Sequence, residues 1–376
     1  MAWPERVALV HERLDQNGGA ERVLWSFHEM YPEAAIFTSM WNRKMVPQFE
    51  GGDVRATWMQ RLPLIARAPR AYAALYPIAF ALLDLRGYDL VISLSSAFAK
   101  GIRTDPGALH VCYCFSPSNF VWRPSAYFTS PVRKAMAQPL LAWLRLWEQW
   151  GARRPDAYVT MGAAVAERIR RHYGHGAEVI PLGLDSAWFG PHLANEHFLL
   201  VSRLVEQKRV DLAIAACAAA GVQLLIAGEG RDEPRLRRLS GAGVRFLGHV
   251  KDRELLRDLY ARATAVIVPA EEDFGLAPLE AQAAGTPVVA YDAGGARDTV
   301  VDGVTGIRFA PQTAAALTEA IREAAARSWD HQAISRHAAR FEQREFKSRF
   351  ESLVDRLRRE QEPAGRLLAA EGSDAL

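Results

Sequence analysis

The sequence predicts an α/β protein made of two doubly wound, parallel-sheet domains in tandem. Short apolar runs of strand length alternate with amphipathic helical segments along the whole chain, the pattern of parallel sheets covered by helices on both faces. The alternation pauses at 181–196 (PLGLDSAWFGPHLANE), where Pro, Gly and Asn mark a linker and hinge, and then resumes. At 376 residues the chain is long enough for each half to bury its own core.

In the first half, apolar runs predict strands at Arg6 to Val10, Ala34 to Thr38, Leu90 to Leu94, His110 to Phe115, Ala157 to Met161 and Glu178 to Pro181. Gly18 and Gly19 follow the first of these, and Ala20 to Met30 reads as a helix. In the second half, strands recur at Phe198 to Ser202, Gln223 to Ala227, Val244 to Leu247, Ala265 to Val268, Pro287 to Ala290 and Gly306 to Phe309. The linker places the domain break near Trp188, which gives domains of 1–187 and 188–342. A helix is predicted from Gln343 to Gln361, and the small, polar tail 362–376 is expected to fray.

Composition narrows the class. The 49% hydrophobic content is that of a globular protein, and a net charge of +3 does not call for a nucleic-acid partner. Three cysteines, Cys112, Cys114 and Cys217, make no disulfide framework and fit a reducing compartment, so a cytoplasmic location is expected. The N-terminus enters a strand within a few residues without the apolar run of a signal peptide, and no uninterrupted apolar stretch is long enough to span a bilayer.

The densest chemistry lies between Val266 and Val301 (VIVPAEEDFGLAPLEAQAAGTPVVAYDAGGARDTVV). A strand ends at Pro269, a loop carries Glu272, Phe274 and Gly275, and an Ala-rich helix from Leu276 carries Glu280. The first N–H groups of a helix have no intrahelical partner and carry partial positive charge, so an anion is stabilised there. Carboxylates flanking such a site accept hydrogen bonds from sugar hydroxyls. A nucleotide sugar is long enough to meet both acids, whereas an ordinary solvated helix with scattered acids would use neither.

Arg203 and Lys208 follow the strand at Phe198 to Ser202, in a loop and the first turn of a helix. A forked guanidinium and a flexible ammonium there can neutralise a diphosphate, although the same pair in isolation reads as solvated surface charge. Gly18 and Gly19 either let the chain approach donor phosphates without a Cβ in the way or form a tight turn needing positive φ.

These residues, in this order, resemble the retaining glycosyltransferases of family GT4, whose hallmark is the E-x7-E segment seen here as Glu272 to Glu280. The resemblance extends over nearly the whole chain. VALVHERLDQNGGAERVLWSF, VSRLVEQKRVDLAI with its R-x4-K, LLIAGEG, FLGHV and YDAGGARDTVVDGVTG follow in the family's order. YDLVISLSSAFAKG and HVCYCFSPSNFVWRP are similar to the WbaZ-like mannosyltransferase branch.

The resemblance implies the GT-B fold, two Rossmann-like domains facing across a cleft, with the helix after 342 returning to the first domain. It implies metal-independent transfer of a hexose with retention, without a cofactor. The donor would be a nucleotide sugar, GDP-mannose first and UDP-hexoses second, and the acceptor a lipid-linked or saccharide chain in cell-surface or exopolysaccharide assembly. Glu272, Arg203 and Lys208 take the catalytic roles. Gly18, Gly19, Gly228, Glu229, Val250, Phe274, Gly275, Leu276 and Glu280 hold the donor. Lys100, Phe115, Ser116 and Asn119 are acceptor-side candidates. Phe115 and Asn119 depart from the branch, which has a histidine and an arginine at those places. A phenyl ring neither shares a proton nor donates to a hydroxyl, so donor orientation or acceptor choice differs here.

Other readings meet the sequence less well. Gly228-Glu229-Gly230 opens like a dinucleotide fingerprint, but Glu233 stands where the third glycine belongs. His110, Cys112 and Cys114 alternate on one strand face without an evident fourth metal ligand, and small cysteines in an apolar strand are usually core. An epimerase or phosphorylase of the same fold remains a rival, as does a weakly active or non-catalytic nucleotide-sugar-binding protein. Arg55 to Leu85 and Val132 to Arg154 are both basic and apolar, with Trp58, Trp143, Trp147 and Trp150 among the arginines. They are expected to be helices lying on a membrane surface, peripheral to its inner face; the plainer reading is domain core or a dimer contact.

Overall fold

A computed structural model describes residues 4–16, 18–124 and 131–373. The chain divides into two compact units, one of 1–161, 165–180 and 347–376, the other of 162–164 and 181–346.

The first unit is built on a seven-stranded sheet in the order β3-β2-β1-β4-β5-β6-β7. Its strands are β1 (Val7–His11), β2 (Ala35–Thr38), β3 (Val54–Ala56), β4 (Leu90–Ser95), β5 (Leu109–Cys114), β6 (Ala157–Thr160) and β7 (Glu178–Val179). The second unit has a six-stranded sheet in the order β10-β9-β8-β11-β12-β13. These strands are β8 (His197–Val201), β9 (Leu224–Ala227), β10 (Val244–Gly248), β11 (Ala263–Val268), β12 (Val288–Tyr291) and β13 (Gly306–Phe309). Every ladder in both sheets is parallel.

Parallel sheets bury both faces, and the strand sequences show it by sorting at period two. In the second unit Leu200, Ile226, Ile267 and Val289 join one core cluster, while their neighbours Leu199, Leu225, Val266 and Val288 join the other. Helices α5 (Val210–Ala220) and α9 (Ala314–Ala326) cover the first of these faces. Helices α7 (Arg253–Ala261), α8 (Leu276–Ala283) and α10 (His331–Ala338) cover the other. In the first unit, α1 (Gly19–Met30), α2 (Tyr76–Ala81), α3 (Pro131–Gly151) and α4 (Ala163–Tyr173) serve the same purpose; α6 (Glu233–Leu239) belongs to the second.

Each predicted strand is present within two residues of its expected limits. Two expectations need correction. Arg55 to Leu85 is not one helix, because Pro63, Pro69 and Pro77 interrupt it. It forms β3, two short 3-10 turns (Trp58–Arg61 and Pro69–Tyr72) and α2. Met59, Ile65, Tyr76 and Phe80 from it are buried in the first unit's core.

The last helix, α11, runs from Gln343 to Ser373, past the expected end at Gln361; 374–376 of the tail lie outside the described residues. Its first turns pack on α1 through a Phe350–Phe27 ring contact with centroids 4.7 Å apart and a Lys347–Glu29 ion pair at 3.2 Å.

Among the described residues no helix is long and apolar enough to cross a membrane.

Candidate active site

In a parallel α/β sheet, loops leaving the carboxyl ends of the strands gather along one edge, where ligands bind. In the second unit, Arg203 and Lys208 follow β8, Gly228 and Glu229 follow β9, Val250 follows β10, and Glu272 to Leu276 follow β11. Strands β10, β9, β8 and β11 are neighbours in that order, so these loops lie side by side.

Lys208 and Glu272 meet directly. The lysine Nζ donates to both carboxylate oxygens at 2.5 Å, and each side chain stays about a fifth exposed, 23% and 22%. Lys208 belongs to a 3-10 turn (Glu206–Lys208) rather than to the expected helix. The break is made by Arg209, which sits in the left-handed region at φ 50° and ψ 39° before α5 begins. An L-residue there carries a backbone cost of about 1 kcal/mol. The turn delivers the ammonium to Glu272 before the helix starts. Arg203 is exposed, and its guanidinium has no side-chain partner among the described residues.

Glycines bring these loops together. A Cβ on Gly228, whose φ is +137°, would lie 1.9 Å from Ser202 O, and one on Gly230 would lie 2.2 Å from Leu204 O. Leu204 N donates to Glu229 O at 3.0 Å, so the Gly-Glu-Gly turn is laid against the loop that carries Arg203. Tightness against a neighbouring backbone, rather than a dinucleotide fingerprint, accounts for both glycines.

The Glu272 loop is seated the same way. Gly295 N donates to Glu272 O at 2.8 Å. A Cβ on Gly294 would meet Glu272 O at 2.2 Å, and one on Gly295 would meet Phe274 O at 2.3 Å. Phe274 is buried against Phe341, and Gly275, at φ 91°, opens α8 without a side-chain cap. Pro278 falls in the first turn of α8, where its missing N–H costs no helical bond. The start of α8 therefore keeps uncapped amides beside the Lys208–Glu272 pair.

Glu280, expected to help hold the nucleotide sugar, already accepts from a protein hydroxyl. Its side chain is 7% exposed, and Oε2 accepts a 2.8 Å hydrogen bond from the Tyr260 hydroxyl on α7. Val250 packs partly on the core cluster of that face.

In the first unit the candidates also lie beyond strand carboxyl ends. Gly18 caps α1 at φ −133°, so neither positive φ nor a tight turn explains it. Its N–H is already used, donating to Glu21 Oε2 at 2.9 Å, and so is not held out to a phosphate. Gly19 is the first residue of α1. Burial pushes the Glu21 carboxyl up to about 7. Lys100 is 1% exposed, with its ammonium on Ala97 O and facing Glu148, so it does not reach an acceptor. Phe115 and Ser116 are buried, Phe115 against the Tyr113 ring, and Asn119 begins a short helical turn (Asn119–Trp122) at the surface.

The cysteines of β5 are core residues: Cys112 and Cys114 pack with Tyr158, Ile169 and Tyr173, while His110 Nε2 pairs with Ser93 Oγ at 2.8 Å. Among the described residues no group of three His, Cys, Asp or Glu side chains is placed to hold a metal ion.

Comparison with known proteins decides the family. Residues 17–188 match the Glycosyltransferase Family 4 model, and residues 190–341 match the Glycosyl transferases group 1 model. The chain is built from two glycosyltransferase domains. It is 38% identical over 195 residues to the glycogen synthase of Mycobacterium tuberculosis, spanning 46% of this chain and 47% of that protein. It is 35% identical over 153 residues to the GDP-mannose-dependent alpha-(1-6)-phosphatidylinositol dimannoside mannosyltransferase of the same species, 36% of this chain and 40% of that one. The chain thus spans about half the length of these curated relatives, or less. The fold of Anabaena HepE, solved in complex with UDP-glucose, superposes with a TM-score of 0.67 at 19% identity, over 93% of this chain and 99% of that one. That establishes the GT-B architecture of two Rossmann-like domains.

Sequence reasoning missed Tyr260, Gly294 and Gly295 as parts of the site, together with the Lys208–Glu272 bond itself. The Gly-Gly step in YDAGGARD was visible. Tyr260 lies 20 residues from Glu280, with no local signal linking them.

Proposed function

We propose that the chain is a retaining hexosyltransferase that moves a hexose from a nucleotide sugar, GDP-mannose before UDP-hexoses, to a lipid-linked saccharide in cell-surface glycan assembly. The observation that carries this reading is the Lys208–Glu272 pair beside the exposed Arg203 and the uncapped start of α8. As the bond from the sugar C1 to the diphosphate lengthens, negative charge grows on the leaving group. In this reading the guanidinium, the ammonium and the helix amides stabilise it, without a metal ion. Glu272, held by an ammonium, is a poor covalent nucleophile and a good acceptor for sugar hydroxyls. Attack by the acceptor on the face the phosphate leaves then accounts for retention. Glu280, sharing an oxygen with Tyr260, supports the ribose.

The WbaZ-like segments and the mannosyltransferase relative support mannose; the glycogen synthase relative keeps glucose in view. The membrane reading rests on α3. Val132, Met136, Leu140, Trp143, Leu146 and Trp150 are all exposed on it and, at 100° per residue, fall within about 120° of arc, away from buried Leu141, Leu144 and Glu148. Arg154 stacks on Trp150 at 4.2 Å, which places a cation at the end of that stripe. Together with the three free, buried cysteines this supports work at the inner face of a membrane.

A thermal-shift screen of GDP-mannose, UDP-glucose, UDP-galactose and UDP-N-acetylglucosamine, followed by transfer assays with and without a chelator, tests the proposal. Stabilisation by one donor and chelator-resistant transfer are expected. Conversion of donor without acceptor, dependence on inorganic phosphate, or binding without any turnover would favour the epimerase, phosphorylase or sensor instead.

A further inference from the structure

A second lysine–glutamate pair lies in the first unit, and the transfer chemistry above does not use it. Glu148, on α3, is 0% exposed, and Lys100, after β4, is 1% exposed, with Nζ 3.7 Å from Glu148 Oε1. The carboxylate is saturated by donors from separate segments. Oε1 accepts from Ser118 Oγ; Oε2 accepts from Trp122 Nε1 at 2.6 Å and from the Tyr173 hydroxyl at 3.1 Å. The ammonium donates to Ala97 O and lies over the Tyr173 ring, 5.0 Å from its centroid. Two loops converge on this charge pair. One, 96–100, leaves the carboxyl end of β4; the other, 116–122, leaves the carboxyl end of β5 and carries Ser116 and Asn119. They also meet directly: the Phe98 and Phe120 rings stand 6.4 Å apart between centroids, and Ser118 Oγ is 3.0 Å from Ser96 O, although its single hydrogen serves one acceptor at a time.

A buried ion pair is a poor source of stability, because two desolvated charges recover little more than they lose, and apolar residues of like volume do as well. What it provides is direction. Each donor must sit at a fixed place around one carboxylate, and the loops bearing those donors are fixed with it. An apolar replacement fills the same space without specifying where Ser118 and Trp122 point.

We propose that Glu148, charge-balanced by Lys100, is a positioning residue that sets the conformation of the 116–122 loop for acceptor engagement without touching either substrate. The acceptor part of this statement rests on the transferase reading given above; the loop-setting part does not. Two variants of the full chain separate position from stability: Glu148→Gln, and the apolar pair Lys100→Met/Glu148→Met.

Amide hydrogen exchange is read first. In both variants peptides over 116–122 are expected to exchange roughly tenfold faster or more, with β4 and β5 peptides still protected. The Met pair is expected to keep a melting temperature near that of the unmodified chain. Unchanged exchange over 116–122 in a folded variant overturns the loop-setting role. So does acceleration that spreads evenly over the unit.

Kinetics are read second. For Glu148→Gln, the acceptor KM is expected to rise about tenfold, while the donor KM and acceptor-free donor hydrolysis stay within about twofold. Equal changes in donor and acceptor KM, or an unchanged acceptor KM despite a loosened loop, overturn the acceptor role. Absence of any transfer by the unmodified chain instead sinks the transferase reading and the acceptor role with it, and leaves the exchange result to decide loop setting alone.

Discussion

The two lysine–glutamate pairs use the same functional groups in opposite settings. Lys208 and Glu272 touch at 2.5 Å and are 23% and 22% exposed, while Lys100 and Glu148 are 3.7 Å apart and 1% and 0% exposed. The Glu272 carboxylate is bonded to Lys208 and both side chains keep about a fifth of their surface open, so a ligand can enter and rearrange the pair. Around Glu148 two aromatic donors and a serine take up the carboxylate, so nothing can enter. Exposure and the completeness of the hydrogen-bond shell, rather than the identity of the ions, separate a pair open to a ligand from a closed one.

The widest contrast is in stability. Lys100→Ala leaves a buried carboxylate without its counter-charge and is expected to lower unfolding free energy by about 3–5 kcal/mol. Lys208→Ala removes a partly solvated partner and is expected to cost about 1 kcal/mol or less. Chemical denaturation of both proteins checks the pair of values, and comparable losses would erase the distinction. Catalysis should show the reverse. Glu272→Ala, Arg203→Ala and Lys208→Ala are each expected to reduce kcat/KM by about 100- to 1000-fold. Steady-state kinetics with the donor found by screening measure this, and near-normal rates in one variant remove that residue from the site.

A subtler comparison uses pH. The Glu21 carboxyl, raised by burial to about 7 from 4.5 and influenced by Asp15 and Arg13, favours the folded state when protonated. Its contribution is complete below about 4.5 and is lost as pH rises through about 7, at up to about 1.4 kcal/mol per pH unit. Buried His11, held down to about 4, works in the opposite sense, adding stability as pH rises toward 6.5. The difference between the unmodified chain and Glu21→Gln therefore isolates the carboxyl. A difference that stays flat from pH 4.5 to 7 contradicts the assignment.

The smallest effect is expected at Tyr260→Phe, which leaves Glu280 one donor short at a cost of about 1 kcal/mol. It should also raise the donor KM severalfold, as read in the same assay.

Most of the fold was legible because its cause is local. Period-two and helical spacings fix which face of each segment is buried. Strand β3 was not legible, since three residues, Val54 to Ala56, at a sheet edge carry no period, and the basic residues around them read as a helix. In the site, the order of Arg203, Lys208, Glu272 and Glu280 along the chain was readable, but their bonding was not. The reach of Lys208 depends on a left-handed Arg209, a backbone state that the residue type does not announce. Lys100 and Glu148 were harder still. They are 48 positions apart, and Lys100, an acceptor-side candidate in the sequence, is turned inward by the fold.

The glycines at 294 and 295 carry a consequence for genetics. They have no side chain to offer a substrate, yet any side chain there collides with the carbonyls of Glu272 and Phe274. In a saturation library selected for transfer, these two codons should come back as intolerant as the codon for Glu272 itself. A survey of inactivating alleles would then flag a pair of residues with no functional group as part of the reactive centre.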